Sequence, residues 1–223
     1  MPWPTPESVL AALIRSKSSN QTIITYASLD NGSSATFCTE SLMRKLGVHG
    51  TKVKISLSTL EKKNSPVDSY FIRDLVVSDL DGNHFVHLPR LYTISEIPVN
   101  KSDVPTQEDV DKRPHLDGEF IPQVVDEIGL LIASNVAKAL DPLEVNYSQN
   151  GGPYATRTRM CLAVNGSLER FRGRSHTSSF FLKVARTFSK WCRAFITVTL
   201  LTSLLTIRKR CPRMNIVSCK MMS

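Results

Sequence analysis

The interpretation of this chain starts from one short stretch near its N-terminus, Thr22-Ile23-Ile24-Thr25-Tyr26-Ala27-Ser28-Leu29-Asp30-Asn31-Gly32-Ser33-Ser34. The β-branched and aromatic residues before Leu29 favour a strand that ends at Asp30. A carboxylate at the end of a buried strand is costly unless hydrogen bonds or an opposite charge compensate it. An ordinary turn is the simpler interpretation, because Asn-Gly and Asp-x-Gly both commonly mark turns. This stretch alone does not decide between an ordinary turn and a loop that holds a functional carboxylate at the end of a buried strand.

The segments on either side of this stretch carry helix signals. Residues 1–20 form an N-terminal segment, in which Thr5-Pro6-Glu7 resembles a helix start and predicts a short docking helix. The following apolar residues would share one face of that helix: Val9, Leu10, Leu13 and Ile14. A second helix is predicted over residues 37–46, capped by Thr39 or Ser34 and ended by Gly47.

Most other segments have the pattern of strands. Alternation or β-branched content predicts strands over residues 52–60, 70–77, 84–94 and 154–164, with a hairpin turn at Asp81-Gly82-Asn83. Residues 128–133 are the most apolar run before the tail and predict a buried central strand. Short helical turns are expected after Thr106 and over residues 136–140. The sequence therefore predicts a mainly β domain, a barrel or a sandwich, with one or two short helices.

Charge divides the chain into two parts. Residues 1–165 contain 16 Lys/Arg and 19 Asp/Glu, whereas residues 166–223 contain 12 Lys/Arg and a single Glu. The net charge of +8 therefore belongs to the C-terminal part. Residues 180–190 have the pattern of a basic amphipathic helix, and the uncharged run 194–207 is too short to span a membrane. The break in composition favours a tail without a selected role. The alternative is a nucleic-acid or anionic-membrane partner, which would bind only through this tail.

The cysteine and histidine patterns favour neither a disulfide framework nor a metal site. Five cysteines are odd in number, widely spaced and never arranged as Cys-x-x-Cys, which indicates a reducing compartment. His84 and His87 would point to opposite faces of a strand and have no further ligands nearby. We therefore expect no metal and no cofactor. Because residues 1–20 have no basic n-region and no long apolar run, we expect an intracellular, cytoplasmic protein.

Several short segments occur together in a recognisable order. They are Leu29-Asp30-Asn31-Gly32-Ser33, Val53-Lys54-Ile55-Ser56-Leu57-Ser58-Thr59-Leu60, Leu88-Pro89-Arg90-Leu91-Tyr92-Thr93, Ile97-Pro98, Asp103-Val104-Pro105-Thr106, Pro114-His115-Leu116, Gly129-Leu130-Leu131-Ile132, Ala139-Leu140-Asp141-Pro142-Leu143 and Gly151-Gly152-Pro153-Tyr154-Ala155-Thr156-Arg157-Thr158. Their order and spacing resemble the aspartic peptidase domain of Pao-type (BEL/Pao) LTR retrotransposon polyproteins. The resemblance covers residues 22–168 and ends where the basic tail, residues 169–223, begins.

The resemblance implies a retropepsin-like acid-protease barrel subunit over residues 21–168. It implies a homodimer that processes its own retroelement polyprotein, because each subunit supplies one Asp. Asp30 would be the catalytic carboxylate, and Asn31, Gly32 and Ser33 would support its loop. Four residues would pack behind that loop: Leu130, Leu131, Ile132 and Ala133. Residues 53–60 and the turn after them would form a flap over the substrate.

The chain also departs from the family pattern at several positions. Asn31 stands where retropepsins have Thr or Ser, and Ala133 replaces the Gly expected after the apolar triplet, where an added methyl could crowd the loop. Arg113 replaces a Trp, and Met160-Cys161-Leu162 replaces Leu-Gly-Trp. Two alternatives to an active peptidase therefore remain, a catalytically inactive remnant of the domain and a basic binding protein that acts through its tail.

Overall fold

Strands dominate the described part of the chain. The computed structural model describes residues 8–18, 21–59, 63–148, 151–166 and 168, together with the backbone of 183–186. The strands are β1 Ser8–Ser16, β2 Thr22–Asp30, β3 Thr36–Thr39, β4 Thr51–Ser58, β5 Ser65–Ile72, β6 Leu75–Ser78, β7 Val86–Leu88, β8 Leu91–Ile94, β9 Ile128–Ala133, β10 Glu144–Asn146, β11 Tyr154–Arg157, β12 Leu162–Asn165 and β13 Lys183–Arg186. The helices are short: α1 Glu40–Lys45, α2 Gln107–Asp111 and α3 Ala137–Leu140. The prediction of a mainly β domain with only short helices is confirmed, although the described residues contain three α-helices where one or two were expected.

The strands form two sheets. Ten strands follow the order β13-β4-β5-β8-β3-β9-β2-β1-β6-β7, and β10, β11 and β12 form a separate antiparallel sheet. The larger sheet has two ends, at β13 and β7. The described strands therefore do not close into the barrel expected from the sequence. Described residues up to Ala185 belong to one compact unit.

Residues Ser8–Ser16 of the N-terminal segment form a strand, so the helix predicted there is wrong, and the predicted helix start at Thr5-Pro6-Glu7 lies outside the described residues. Strand β1 pairs with β2 over eight register positions, from Ser8↔Leu29 to Arg15↔Thr22, and its second half pairs with β6. The helical spacing of the apolar residues misleads because the whole run from Val9 to Ile14 is apolar. A strand buried on both faces has such a continuous run without alternation.

The centre of the large sheet positions the candidate site. Strand β9 lies between β2 and β3, parallel to β2 and antiparallel to β3. All six residues of β9 are buried, which confirms the prediction of a buried central strand. Gly129 is required here, since a Cβ at this position would lie 2.7 Å from the Thr25 Oγ1 atom. The C-terminal ends of β2 and β9 consequently lie side by side, with Asp30 opposite Ala133.

Side chains of the central strands are divided between two core clusters. Alternate residues of β1 belong to different clusters, Leu10 to the first and Ala11 to the second. Strand β9 is divided in the same way, since Ile132 belongs to the first and Leu131 to the second. The first cluster includes the buried side of α1, and the second includes Ile55 of β4. Apolar packing on both faces therefore holds the strands that carry the site.

Several local predictions are confirmed and others are corrected. Thr39 caps α1, because its Oγ1 accepts a hydrogen bond from the Leu42 N–H, and Gly47 follows the helix with a φ of +62°. Residues 37–39, however, belong to β3 and not to the helix. The strand predicted over 70–77 is divided at Asp74, which has a φ of +63° and ends β5 before β6 begins. Pairing of β6 with β7 confirms the hairpin around Gly82.

The C-terminal part differs from the prediction in two further places. The strand predicted over 154–164 is a hairpin of two strands, β11 and β12, because residues 158–161 form a turn with Thr158 and Cys161 hydrogen-bonded to each other. The helix predicted over 180–190 is wrong at its centre, since β13 lies beside β4, where the edge of that strand offers backbone partners. The remaining tail predictions, including the run 194–207, lie outside the described residues.

No helix in the described ranges is long and apolar enough to cross a membrane.

The segment between β8 and β9 contains α2, whose N-terminus is capped as predicted. The Thr106 N–H and the Thr106 hydroxyl both donate to Asp109 Oδ2, at 2.8 and 2.7 Å. A third apolar cluster joins this segment to the small sheet, through Leu116 and Leu162 among others.

Candidate active site

The Asp30 carboxylate is held by its own loop. Asp30 is half-buried at the last position of β2. Its Oδ1 atom accepts hydrogen bonds from the Gly32 N–H at 2.8 Å and from the Ser33 N–H at 3.2 Å. The Ser33 hydroxyl donates to the Oδ2 atom. Three donors within three residues therefore compensate the charge that the sequence places at the end of a buried strand.

A second loop braces the first one. Residues 134–136 follow β9 directly, and the Ser134 hydroxyl and N–H both donate to the Ser33 carbonyl, at 2.7 and 3.2 Å. The Thr36 hydroxyl donates to Asn135 Oδ1 at 2.7 Å and accepts a hydrogen bond from the Ala133 N–H at 3.2 Å. These bonds connect residues about one hundred positions apart in the chain. They fix the loop after β2 to the end of β9.

The four residues predicted to pack behind the loop are all buried in β9. Leu131 pairs with Ser28, Ile132 with Leu29 and Ala133 with Asp30, so the apolar run follows β2 to its end. Ala133 is fully buried in the second core cluster, which also contains Ala35. The bracing hydrogen bonds form with this methyl group in place, so the expected crowding does not prevent them.

The predicted support residues differ in exposure. Ser33 is fully buried, whereas Asn31 and Gly32 are exposed at the surface of the loop. Within the described part of the chain no cation forms an ion pair with Asp30, so neutral donors alone hold its charge.

The predicted flap corresponds to a real hairpin. Strands β4 and β5 pair from Thr51↔Phe71 to Leu57↔Ser65, and the tip residues 60–62 lie outside the described residues. In the sheet order, β8 and β3 separate this hairpin from β9. Coverage of Asp30 by the hairpin stays a prediction.

The described ranges give little support to a metal site or to a nucleophilic cysteine. No group of three or more His, Cys, Asp or Glu side chains there could hold a metal ion. His84 Nδ1 lies 2.8 Å from Asp79 Oδ2, and His87 is exposed on β7. Burial raises the pKa of the Cys38 thiol to about 12, and burial is also the main cause that raises the pKa of Cys161. Neither thiol is therefore a nucleophilic thiolate at neutral pH.

Three bracing residues were missed by the sequence interpretation: Thr36, Ser134 and Asn135. A signal existed for Ser134 and Asn135, because polar residues directly after a buried strand are costly unless they have partners. Nothing local identifies Thr36, whose partners come from the other loop.

Comparison of the chain with protein-family models, with curated proteins and with solved structures found no match. The family resemblance thus remains a prediction from the motifs.

Proposed function

We propose that this chain is one subunit of a retropepsin-like aspartic endopeptidase of the Pao retrotransposon type. In this proposal it is a peptide-bond hydrolase that acts as a homodimer on the polyprotein of its own transposable element. Asp30 is the catalytic residue of each subunit. Gly32 and Ser33 orient its carboxylate, and the loop after β9 holds Ser33.

One observation carries the proposal: the Asp30 carboxylate accepts hydrogen bonds from Gly32 and Ser33 at the edge of a buried sheet, and Ser134 braces the same loop. An ordinary turn needs no such bracing, since its polar groups are solvated. The charge is held by backbone and hydroxyl donors without an ion pair. The outer edge of the carboxylate consequently remains available for a proton and a water molecule.

A single copy of this site is chemically incomplete. The chain has one Asp-x-Gly-Ser sequence, and peptide hydrolysis of this type uses two carboxylates. Two carboxyl groups about 3 Å apart cannot both ionise and share one proton. The ionised group takes a proton from a water molecule that attacks the scissile carbonyl, and the protonated group polarises that carbonyl. A second copy of the chain therefore has to supply the second Asp30.

The direct test is cleavage of an unstructured peptide by the purified full-length chain at mildly acidic pH. We expect pepstatin-sensitive turnover that falls to background in the Asp30→Asn variant, because an amide cannot hold the shared proton. Asp117→Asn is the matched control, since Asp117 is exposed and lies outside the loop. Equal turnover in the Asp30→Asn variant and the wild type would refute the catalytic role of Asp30.

The second candidate is an inactive remnant that keeps the fold. It is favoured by Asn31, which offers an amide at the exposed position where related enzymes have a hydroxyl. A well-folded chain without detectable turnover over the acidic range would support the remnant. Turnover that pepstatin abolishes would exclude it.

A further inference from the structure

A cleft of about 330 Å³ lies between the start of β1 and the small sheet β10-β11-β12. Ser8, the first residue of β1, lines it, and Tyr147 and Tyr154 line it from the side of the small sheet. Leu140 and Ala163 in its lining pack with the first core cluster, so the cleft is on that face of the large sheet. None of its twelve described lining residues is charged. The cleft therefore suits an uncharged ligand.

Two stacked tyrosines form the exposed wall of this cleft. The ring centroids of Tyr147 and Tyr154 are 6.1 Å apart, and the angle between the ring planes is 27°. Tyr147 is 72% exposed and Tyr154 is 38% exposed. Aromatic side chains that leave this much of their surface in water beside a concavity are typical of binding sites for another chain segment.

A short series of contacts connects Ser8 to the two rings. The Ser8 hydroxyl donates to Asn165 Oδ1. Asn165 pairs with Tyr154 across β12 and β11, which places their side chains about 5 Å apart on one face of the small sheet. Tyr147 then stacks on Tyr154. The aromatic wall is therefore only two or three side-chain contacts away from the first residue of β1.

The seven residues before Ser8 are outside the described part of the chain, and their sequence is Met1-Pro2-Trp3-Pro4-Thr5-Pro6-Glu7. Each of the first six positions is either a proline or the residue before one. Proline fixes its own φ near −65°, and it also disfavours helical backbone in the preceding residue. This pattern favours an extended polyproline II segment. Residues 2–6 have no charged side chain and include one large aromatic residue, Trp3.

The direction of β1 brings this segment to the cleft. Strand β1 is antiparallel to β2 and Ser8 pairs with Leu29, so the chain before Ser8 leaves the large sheet at the end where β2 finishes. Leu29 and Asn31, at that end, both line the cleft. Five residues of polyproline II extend about 15 Å, at about 3.1 Å per residue. This length spans the two or three contacts between Ser8 and the tyrosine rings.

We propose that this cleft binds a proline-rich segment and that its occupant is residues 2–6 of the same chain. The uncharged segment matches the uncharged cleft, and Trp3 packs against the rings of Tyr147 and Tyr154. Aromatic-lined grooves recognise such segments because polyproline II is already extended and loses little conformational entropy on binding.

The short connection to β1 strengthens the contact. Only Glu7 separates the proline-rich segment from Ser8, so the effective concentration of the segment at the cleft is on the order of millimolar. A contact that would be weak between separate molecules is therefore sufficient. The proposal goes beyond the peptidase function and does not depend on it, since it involves neither Asp30 nor a substrate.

Tryptophan fluorescence of the full-length Trp191→Phe variant tests the proposal, because Trp3 is then the only tryptophan. We expect acrylamide to quench Trp3 several-fold less in the native chain than in urea. Replacing both Tyr147 and Tyr154 by alanine should raise the native quenching constant to nearly the value in urea, since the rings no longer cover the indole. Phe120→Ala is the matched control, because Phe120 is 70% exposed and does not line the cleft.

Three outcomes would overturn the proposal. The first is quenching of Trp3 as strong in the native chain as in urea. The second is shielding that the tyrosine substitutions leave unchanged, because Trp3 would then be covered elsewhere. The third is shielding that disappears when the protein is diluted, which would show that the segment binds a second copy. Circular dichroism is recorded for each variant, and Tyr147→Ala alone replaces the double variant if the latter unfolds.

A second experiment changes the segment and leaves the cleft intact. Pro2→Gly, Pro4→Gly and Pro6→Gly are combined in the full-length Trp191→Phe chain, which keeps Trp3 and removes the preference for polyproline II. We expect a several-fold rise in the quenching of Trp3, because a glycine-rich segment loses more conformational entropy on binding. Thr5→Ala keeps the three prolines and should leave the quenching unchanged. Equal shielding in the glycine variant would show that Trp3 alone holds the segment, which overturns recognition of a proline-rich sequence.

Discussion

At the scale of single residues, hydroxyl groups determine how the two loops of the candidate site are held. Thr36 is fully buried, and its hydroxyl both donates to Asn135 Oδ1 and accepts from the Ala133 N–H. A buried N–H without an acceptor costs about 1–3 kcal/mol, which is more than an average hydrogen bond contributes. Loss of the Thr36 hydroxyl should therefore lower the free energy of unfolding by more than the loss of an average hydrogen bond.

The Thr36→Val substitution tests this role, because valine keeps the shape of threonine and removes the hydroxyl. We expect the free energy of unfolding to fall by about 1–3 kcal/mol, since the Ala133 N–H loses its acceptor. Urea denaturation followed by circular dichroism measures the change. Thr51→Val, at an exposed position of β4, is the control and should change the free energy by less than about 0.5 kcal/mol.

A double-mutant cycle identifies the partner. Thr36→Val and Asn135→Ala should be non-additive, because each removes the same hydrogen bond. Strict additivity of the two losses would show that Asn135 does not act through Thr36.

At the scale of elements, a surface ion pair connects α1 to the segment that leads into β9. Lys45 Nζ lies 2.6 Å from Asp126 Oδ1, and the pKa of Asp126 is lowered chiefly by the hydrogen bond from Lys45. Both side chains are partly exposed, so the pair contributes at most about 1 kcal/mol. The connection matters because β9 carries one half of the candidate site.

Comparison of the wild type with the Lys45→Met variant should show that this contribution depends on pH. Because the native pKa of Asp126 is lowered, the stabilisation is fully present above the unfolded-state value of about 3.9 and is lost as pH falls through the native pKa. The stability difference between wild type and variant should therefore be constant from pH 5 to 7 and shrink below pH 4. Denaturation at several pH values measures it. A difference that does not shrink as pH falls would contradict this assignment. The Asp126→Asn substitution should remove the same pH dependence.

The sequence predicts local features well where the signal and its cause lie within a few residues. The Thr39 cap, the Thr106 cap and the hairpin at Gly82 are of this kind. The short helix predicted within residues 1–20 is wrong over residues Ser8–Ser16, because a continuous apolar run fits a helix and a two-sided buried strand equally well. The Asp74 break between β5 and β6 was also missed, since no glycine marks its positive φ.

The candidate site was predictable only in part, for a similar reason. Asp30, Gly32 and Ser33 are close in sequence, so their hydrogen bonds follow from a local motif. The bonds from Thr36 and Ser134 join two loops that only the parallel pairing of β2 and β9 brings together. Single-sequence patterns contain no information on that pairing.

At the scale of the whole molecule, the basic charge after the described domain gives a separate, testable property. Residues 187–223 contain seven Lys/Arg and no Asp/Glu. If the tail binds polyanions, binding of the full-length chain to single-stranded nucleic acid should weaken steeply as salt rises. Removal of residues 187–223 should abolish that binding, as measured by fluorescence anisotropy. Salt-sensitive binding that survives the truncation would exclude the tail as the binding element.

The proposed assembly of an active site from two chains makes the strongest prediction at this scale. Wild-type chain is mixed with a threefold excess of the Asp30→Asn variant at constant wild-type concentration. Random exchange of subunits leaves about one quarter of the wild-type chains in wild-type dimers, so activity should fall to about one quarter if both carboxylates are required. Native mass spectrometry of the mixture confirms that subunits exchange.

The matched mixture uses the Asp117→Asn variant, which is expected to be active, so turnover should rise to about four times that of the wild-type chain alone. Full activity in the Asp30→Asn mixture, with exchange demonstrated, would mean that one Asp30 suffices. The shared-proton mechanism would then be untenable, because it needs an ionised and a protonated carboxyl group at the same time. The sequence contains one Asp-x-Gly-Ser, so in the proposed mechanism only a second subunit can meet this requirement.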